Sequence, residues 1–261
     1  MTAVSVARSE EGPADAPVVV MVGSLGSTRQ MWDPQVPALA QRFRVVRYDT
    51  RGHGGSPVPP GPYEIADLVD DLVCVLDELG VERAHLVGLS LGGMTAMLAA
   101  ATHPDRVDRV AVLCTSALLG PASGWAERAA AVCAGGTAAV ADAVVERWFT
   151  PEHSAADPGL VAWARAMVAA TPAHGYAACC GAIERMDLRE ALPRIKTPLL
   201  AIAGRQDQAT RPAHLEAIVD AVPGDRLVVL EAAAHLANLD QPAAVTALLV
   251  DHLDAEAQHD R

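Results

Sequence analysis

The chain has 261 residues, enough for one large α/β domain or two small ones, and 51% of them are hydrophobic, ample for a buried core. Aromatic residues make up only 3%, so aliphatic side chains must build that core. A net charge of −12, with no Lys/Arg run to reverse it locally, argues against nucleic-acid binding, which depends on basic groups neutralising phosphate. An anionic substrate would then be held by a local arginine or by backbone N–H groups, not steered by the whole molecule. The five cysteines (Cys74, Cys114, Cys133, Cys179 and Cys180) are odd in number and show no CxxC spacing. Reduced thiols in a cytoplasmic protein are the expectation. The N-terminal stretch lacks the basic and apolar regions of a secretory signal, and no apolar run is long enough for a membrane span. A soluble protein with no membrane partner is expected.

Short apolar runs bounded by turn residues alternate with longer amphipathic stretches. The first strand is expected at Val18–Val22, followed by the loop Gly23-Ser24-Leu25-Gly26-Ser27, and the next at Phe43–Tyr48. The loop Asp49-Thr50-Arg51-Gly52-His53-Gly54-Gly55-Ser56 reads as a tight turn braced by its own Asp–Arg pair. In Tyr63–Leu79, apolar residues recur at spacings of three and four before Gly80, which predicts a helix. A strand over His85–Gly88, a helix over Leu91–Ala101 and a strand over Val107–Cys114 follow. From about Leu118 to Pro193 the rhythm breaks into Ala-rich helical sequence holding Trp125, Trp148 and Trp163. A strand at Leu199–Ala203, a helix at Pro212–Ala221, a strand at Leu227–Leu230 and a helix at Gln241–Leu253 complete the pattern. The tail from Ala255 to Arg261 is polar and expected to fray. The prediction is an α/β fold: a mostly parallel sheet flanked by helices, with a core of 1–117 and 194–261 and a helical lid of 118–193 inserted in it. A separate helical domain is the alternative for that segment; the return of the strand pattern at Pro198 favours the insertion.

The strongest chemical signal is Gly88-Leu89-Ser90-Leu91-Gly92, lying directly between a strand and a helix. G-x-S-x-G alone is a weak pattern, but in strand–turn–helix context it is the nucleophile elbow of the α/β-hydrolase fold. Only glycines fit two residues either side of so sharp a turn, and the helix N-terminus aims N–H groups at the serine. A serine needs a base, and in this fold the acid and the histidine follow it on later strand ends. Asp207, just past Leu199–Ala203, and His235, past Leu227–Leu230, fit that order and context. The backbone N–H groups of Leu25 and Leu91 are the candidate oxyanion donors. His85, His103, His153 and His174 offer no metal-ligand spacing, and no cofactor signature occurs, so no metal or cofactor is expected.

Several segments are together similar to the 3-oxoadipate enol-lactonase family: Gly23-Ser24-Leu25-Gly26, Met31-Trp32-Asp33-Pro34-Gln35, Asp49-Thr50-Arg51-Gly52-His53-Gly54, the Ser90 elbow, Glu146-Arg147-Trp148-Phe149-Thr150-Pro151, Tyr176-Ala177-Ala178-Cys179-Cys180 and Ala234-His235-Leu236-Ala237-Asn238. The likeness runs from about residue 16 to 253. It departs at Gly23, where that family usually carries Asn, and at Ala232-Ala233-Ala234 before the histidine. The resemblance implies opening of the lactone ring of 3-oxoadipate enol-lactone to 3-oxoadipate in aromatic-compound catabolism (the β-ketoadipate pathway). Ser90 would be the nucleophile, His235 the base and Asp207 the orienting acid. The substrate's free carboxylate needs a donor, for which the lid offers Arg128, Arg147, Arg165 and Arg185. The sequence excludes none of them; Arg128 and Arg147, with Trp148, are the candidate substrate contacts. A broader carboxylesterase or lactonase with the same three residues remains the alternative, and a non-catalytic ligand-binding member of the fold is a further one. A dehalogenase reading fails because the elbow holds Ser90 and not Asp.

Overall fold

The computed structural model describes residues 2–222 and 226–254; the polar tail 255–261 lies outside them. Among the described residues seven strands, β1 (Arg8–Glu11), β2 (Val18–Val22), β3 (Arg44–Tyr48), β4 (Ala84–Leu89), β5 (Val107–Leu113), β6 (Leu199–Gly204) and β7 (Arg226–Leu230), pair in the order β1-β3-β2-β4-β5-β6-β7. Every pairing is parallel except β1 with β3. β2, β4 and β6 are buried throughout, as expected of strands covered on both faces.

The helices that cover the sheet are α1 (Val36–Leu39), α2 (Ile65–Glu78), α3 (Leu91–Thr102), α4 (Ala122–Gly135), α5 (Ala138–Val145), α6 (Pro151–Ala156), α7 (Pro158–Ala169), α8 (Ala173–Arg185), α9 (Pro212–Ala221), α10 (Ala237–Asp240) and α11 (Pro242–Leu253). Of the stripe read over Tyr63–Leu79, Ile65, Leu68, Val69, Leu72 and Leu76 are buried and Val75 joins them, while Leu79 is half-buried. Truncating such a leucine to alanine costs about 2–5 kcal/mol. The same face carries Asp71, whose carboxylate meets the Arg51 guanidinium at 2.5 Å with both side chains almost wholly buried. Helices α4 to α8 occupy the span between β5 and β6, with no strand among them. Among the described residues no helix is long and apolar enough to cross a membrane.

The strand order fixes where a site can form. From β2 the chain passes to β3 on one side and then to β4 on the other, so the connections diverge between β2 and β4. In open α/β sheets the crevice beyond the carboxyl ends of such strands is where ligands bind. The loop after β2 and the turn after β4 open into it, and the loops after β6 and β7 lie along the same edge.

Candidate active site

Ser90 stands in the turn between β4 and α3 with φ 56° and ψ −114°, a strained conformation for a residue with a Cβ. The turn is possible because its neighbours approach backbone directly. A Cβ on Gly88 would lie 2.2 Å from Gly92 O, and one on Gly92 would lie 2.1 Å from Val22 O. The strain is held by hydrogen bonds from Ser90 N to Leu113 O (2.9 Å) and from Thr115 Oγ1 to Ser90 O (2.7 Å).

The loops after β6 and β7 are laced together: Arg205 N donates to Leu230 O and Gln206 N to Ala233 O, each at 2.9 Å. They bring His235 Nδ1 to 2.8 Å from Asp207 Oδ2. A carboxylate only accepts, so Nδ1 carries the proton and Nε2 is left as the basic nitrogen. Asp207 also accepts Ala209 N (2.7 Å) and Thr210 N (3.0 Å) on Oδ1, and Thr210 Oγ1 (2.7 Å) on Oδ2. Burial alone would raise the Asp207 pKa, but His235 and the hydrogen bonds from Thr210 outweigh it and hold the carboxyl below its usual value.

Ser90 and His235 line one cavity of about 290 Å³ together with Ser24, Leu25, Arg128, Arg147, Trp148 and Tyr176. Among the described residues neither Ser90 Oγ nor His235 Nε2 hydrogen-bonds a protein atom. Backbone accounting leaves donors free in the loop after β2 and at the start of α3. Ser24 N is taken by Met31 Sδ (3.4 Å), Gly26 N by His53 Nε2 (2.9 Å) and Gly92 N by Gly23 O (3.0 Å). Among the described residues the N–H groups of buried Leu25 and Leu91 have no such partner. Buried amides without partners are rare, and here they flank the serine.

Of the four lid arginines singled out in the sequence, the cavity takes two. Arg165 is paired outward with Asp142 and Arg185 with Glu64. Arg128 stacks over Trp125, 4.6 Å from the ring centre, and Arg147 Nε donates to Ala143 O at 3.1 Å. Burial and then the Arg128 charge lower the Arg147 pKa. Trp148 is buried in the same wall. Among the described residues no group of three or more His, Cys, Asp and Glu side chains is arranged to hold a metal ion.

One pairing read in the sequence is corrected. Asp49 and Arg51 do not brace each other: Asp49 takes Arg29, at 2.5 Å, and Arg51 turns inward to Asp71. A buried guanidinium requires a buried carboxylate, and α2 supplies it from 20 residues away. Three supporting residues were not read from the sequence. His53 is fully buried with Nδ1 3.2 Å from Arg51 O, so Nδ1 donates there and Nε2 accepts from Gly26, pinning the loop that carries Leu25. Thr210 holds Asp207; the Asp-x-x-Thr spacing before a helix is a local signal for such a side-chain turn. Asp240 accepts Ala234 N at 2.7 Å and Leu236 N donates to Trp148 O at 2.8 Å, tying the His235 loop to the α5–α6 junction. Gly23 has its own reason: a Cβ there would meet Ser27 Oγ at 2.6 Å and Met31 Sδ at 3.0 Å, so these side chains fill the space beside it.

A parallel sheet with a strained serine turn and an imidazole–carboxylate contact on its carboxyl edge defines the class. The α/β hydrolase fold model matches residues 17–242, and the chain belongs to that family. More particularly, it is 38% identical over 233 residues to 3-oxoadipate enol-lactonase 2 of Acinetobacter baylyi, covering 89% of this chain and 87% of that one. The enol-lactonase from Burkholderia xenovorans LB400 superposes with a TM-score of 0.93 at 42% identity, over 95% of this chain and 96% of that one. A thermophilic esterase from Thermogutta terrifontis superposes at 0.89 with 29% identity, over 94% of this chain and 92% of that one. The enol-lactonase resemblance read from the motifs is thereby borne out.

Proposed function

We propose that this protein opens the lactone ring of 3-oxoadipate enol-lactone, giving 3-oxoadipate in the catabolism of aromatic compounds. Ser90 is the nucleophile, His235 the general base and Asp207 the residue that fixes the imidazole tautomer and stabilises its cation. Ser90 Oγ attacks the lactone carbonyl as His235 Nε2 takes its proton, and the N–H groups of Leu25 and Leu91 receive the oxyanion. Collapse expels the ring oxygen as an enolate, which the imidazolium protonates; the enol then ketonises. Water, deprotonated by His235, attacks the acyl-enzyme and restores Ser90.

The observation that carries this reading is the 2.8 Å contact of His235 Nδ1 with Asp207, at a cavity shared by Ser90, Arg128 and Arg147. The similarity to enol-lactonases supports the choice of lactone. The arginines supply the local positive charge that a free carboxylate needs in an acidic protein. Segment 118–193 acts as a lid inserted in the core formed by 1–117 and 194–261, since it contributes Trp125, Arg128, Arg147, Trp148 and Tyr176 to the cavity. The five cysteines are free thiols, in keeping with a cytoplasmic setting.

Loss of enol-lactone absorbance, compared with p-nitrophenyl ester hydrolysis, tests the proposal. The lactone should have the higher kcat/KM, and Ser90→Ala should lower kcat by at least about 10⁴-fold. Preference for simple esters over the acidic lactone would overturn the substrate assignment and leave a broader esterase.

A further inference from the structure

The two cavity arginines lack what most of the other described arginines have. Arg8, Arg29, Arg44, Arg47, Arg51, Arg83, Arg106, Arg165 and Arg185 each meet a carboxylate. Among the described residues Arg128 and Arg147 meet none, although the chain carries 32 acidic residues against 20 basic ones. They lie close enough for the Arg128 charge to depress Arg147. Beside them, in the wall of the same cavity, the Tyr176 hydroxyl is buried against the Arg128 guanidinium. Stacking on Trp125 holds the face of the Arg128 guanidinium, which leaves its N–H edges for an acceptor. Two guanidiniums and a hydroxyl line one cavity with Ser90. These groups suit a carboxylate, and none of the three requires that it be carried on a ring.

Such a site selects for an anion carried in the same cavity as the scissile carbonyl. In the enol-lactone the carbonyl carbon lies four bonds from the carboxylate carbon by way of the ring oxygen, and five along the carbon chain. The half-esters of the five- and six-carbon linear dicarboxylic acids reproduce these two spans. A four-carbon half-ester falls short of both. We infer that the protein has a second activity, the hydrolysis of acyclic mono-alkyl esters of five- and six-carbon dicarboxylic acids, with Arg128, Arg147 and Tyr176 binding the free carboxylate. The inference rests on the enol-lactonase reading above, from which both spans are taken. The covalent steps are those of ester cleavage: Ser90 Oγ bonds the carbonyl carbon and the alkoxide leaves with the proton held by His235. Water then releases the diacid, so one ester and one water give one dicarboxylic acid and one alcohol. An alkoxide is a poorer leaving group than an enolate, so turnover is slower than with the lactone.

The test compares monomethyl glutarate and monomethyl adipate with their neutral counterparts methyl pentanoate and methyl hexanoate, by proton release on the full chain. Charge-assisted hydrogen bonds to one carboxylate predict a kcat/KM preference of about 10- to 100-fold for the half-ester. Monomethyl succinate and monomethyl suberate should fall below both. Arg128→Gln and Arg147→Gln should each shrink the anionic-over-neutral ratio. The wild-type comparison stands even where a variant misfolds. Equal rates for half-esters and neutral esters, or a ratio unmoved in both folded variants, would overturn the inference. Assaying the enol-lactone in parallel separates the two claims. Lactone turnover without anion preference on acyclic esters sinks this one alone. Arg-dependent half-ester hydrolysis without lactone turnover sinks the lactonase assignment alone.

Discussion

Replacing His53 by alanine tests how the proposed oxyanion loop is held, because the imidazole is fully buried and makes two defined bonds. Its Nε2 is the acceptor for Gly26 N–H at 2.9 Å, and Nδ1 donates to Arg51 O at 3.2 Å. Removing the ring orphans a buried amide one residue from Leu25, which costs about 1–3 kcal/mol before any cavity contribution. Loosening Leu25 is bounded by the loss of one oxyanion donor, about 10²- to 10³-fold in kcat. The acid dependence is more diagnostic. Burial, against smaller opposing contributions from Arg51 and Asp49, lowers the His53 pKa from 6.5 to about 4. Between those values the unfolded chain takes up a proton that the fold refuses, so wild-type stability is full above 6.5 and is lost as pH falls toward 4. The His53 share of that loss is about 3 kcal/mol at pH 4. His252, with its pKa also lowered to about 4 by burial, titrates in both proteins and cancels. Denaturant unfolding of wild type and His53→Ala at pH 7.5 and pH 4 reads the difference directly. The stability gap should narrow by about 3 kcal/mol on acidification. A gap of the same size at both pH values refutes a neutral buried His53 as the loop's anchor.

Other outcomes follow from single contacts. Thr210→Val keeps the shape but removes the 2.7 Å hydroxyl bond to Asp207; it should cost about 1.5–3 kcal/mol in unfolding experiments and lower kcat more than it raises KM. Asp71→Ala leaves the Arg51 guanidinium buried without its carboxylate and removes the acceptor for Val4 N. A loss of about 3–5 kcal/mol is expected in denaturant melts, against near-neutrality if the pair is dispensable. Gly92→Ala drives a Cβ to 2.1 Å from Val22 O, against backbone that cannot swing away. It should abolish folded, labelable protein, judged by thermal melts and active-site titration.

The sheet was legible because its central strands are buried on both faces, leaving unbroken runs such as Val18–Val22 and Leu199–Ala203 between turn residues. The three proposed catalytic side chains were legible for a different reason: each follows one of those runs, so finding the strand ends finds the loops. β1 was missed because its residues, Arg8–Glu11, are polar and pair only at the sheet edge, where no apolar face is needed. The partners of Asp49 and Arg51 were misread because two charges near in sequence look paired, while burial sends each to a carboxylate or guanidinium on another element. Sorting the lid arginines needed the helix orientations. Arg128 shares a turn with Trp125 and faces inward, whereas Arg165 and Arg185 find carboxylates outside the cavity. His53 carried no local mark of its role, since its partner Gly26 lies 27 residues away.

Mechanism-based labelling addresses the central chemistry most directly. A fluorophosphonate should modify the protein once per chain, with the adduct mapped by peptide mass spectrometry to Ser90. The modification should vanish in Ser90→Ala and slow sharply in His235→Gln and Asp207→Asn. An adduct on another residue, or lactone opening that persists undiminished in Ser90→Ala, would contradict a serine nucleophile served by His235 and Asp207.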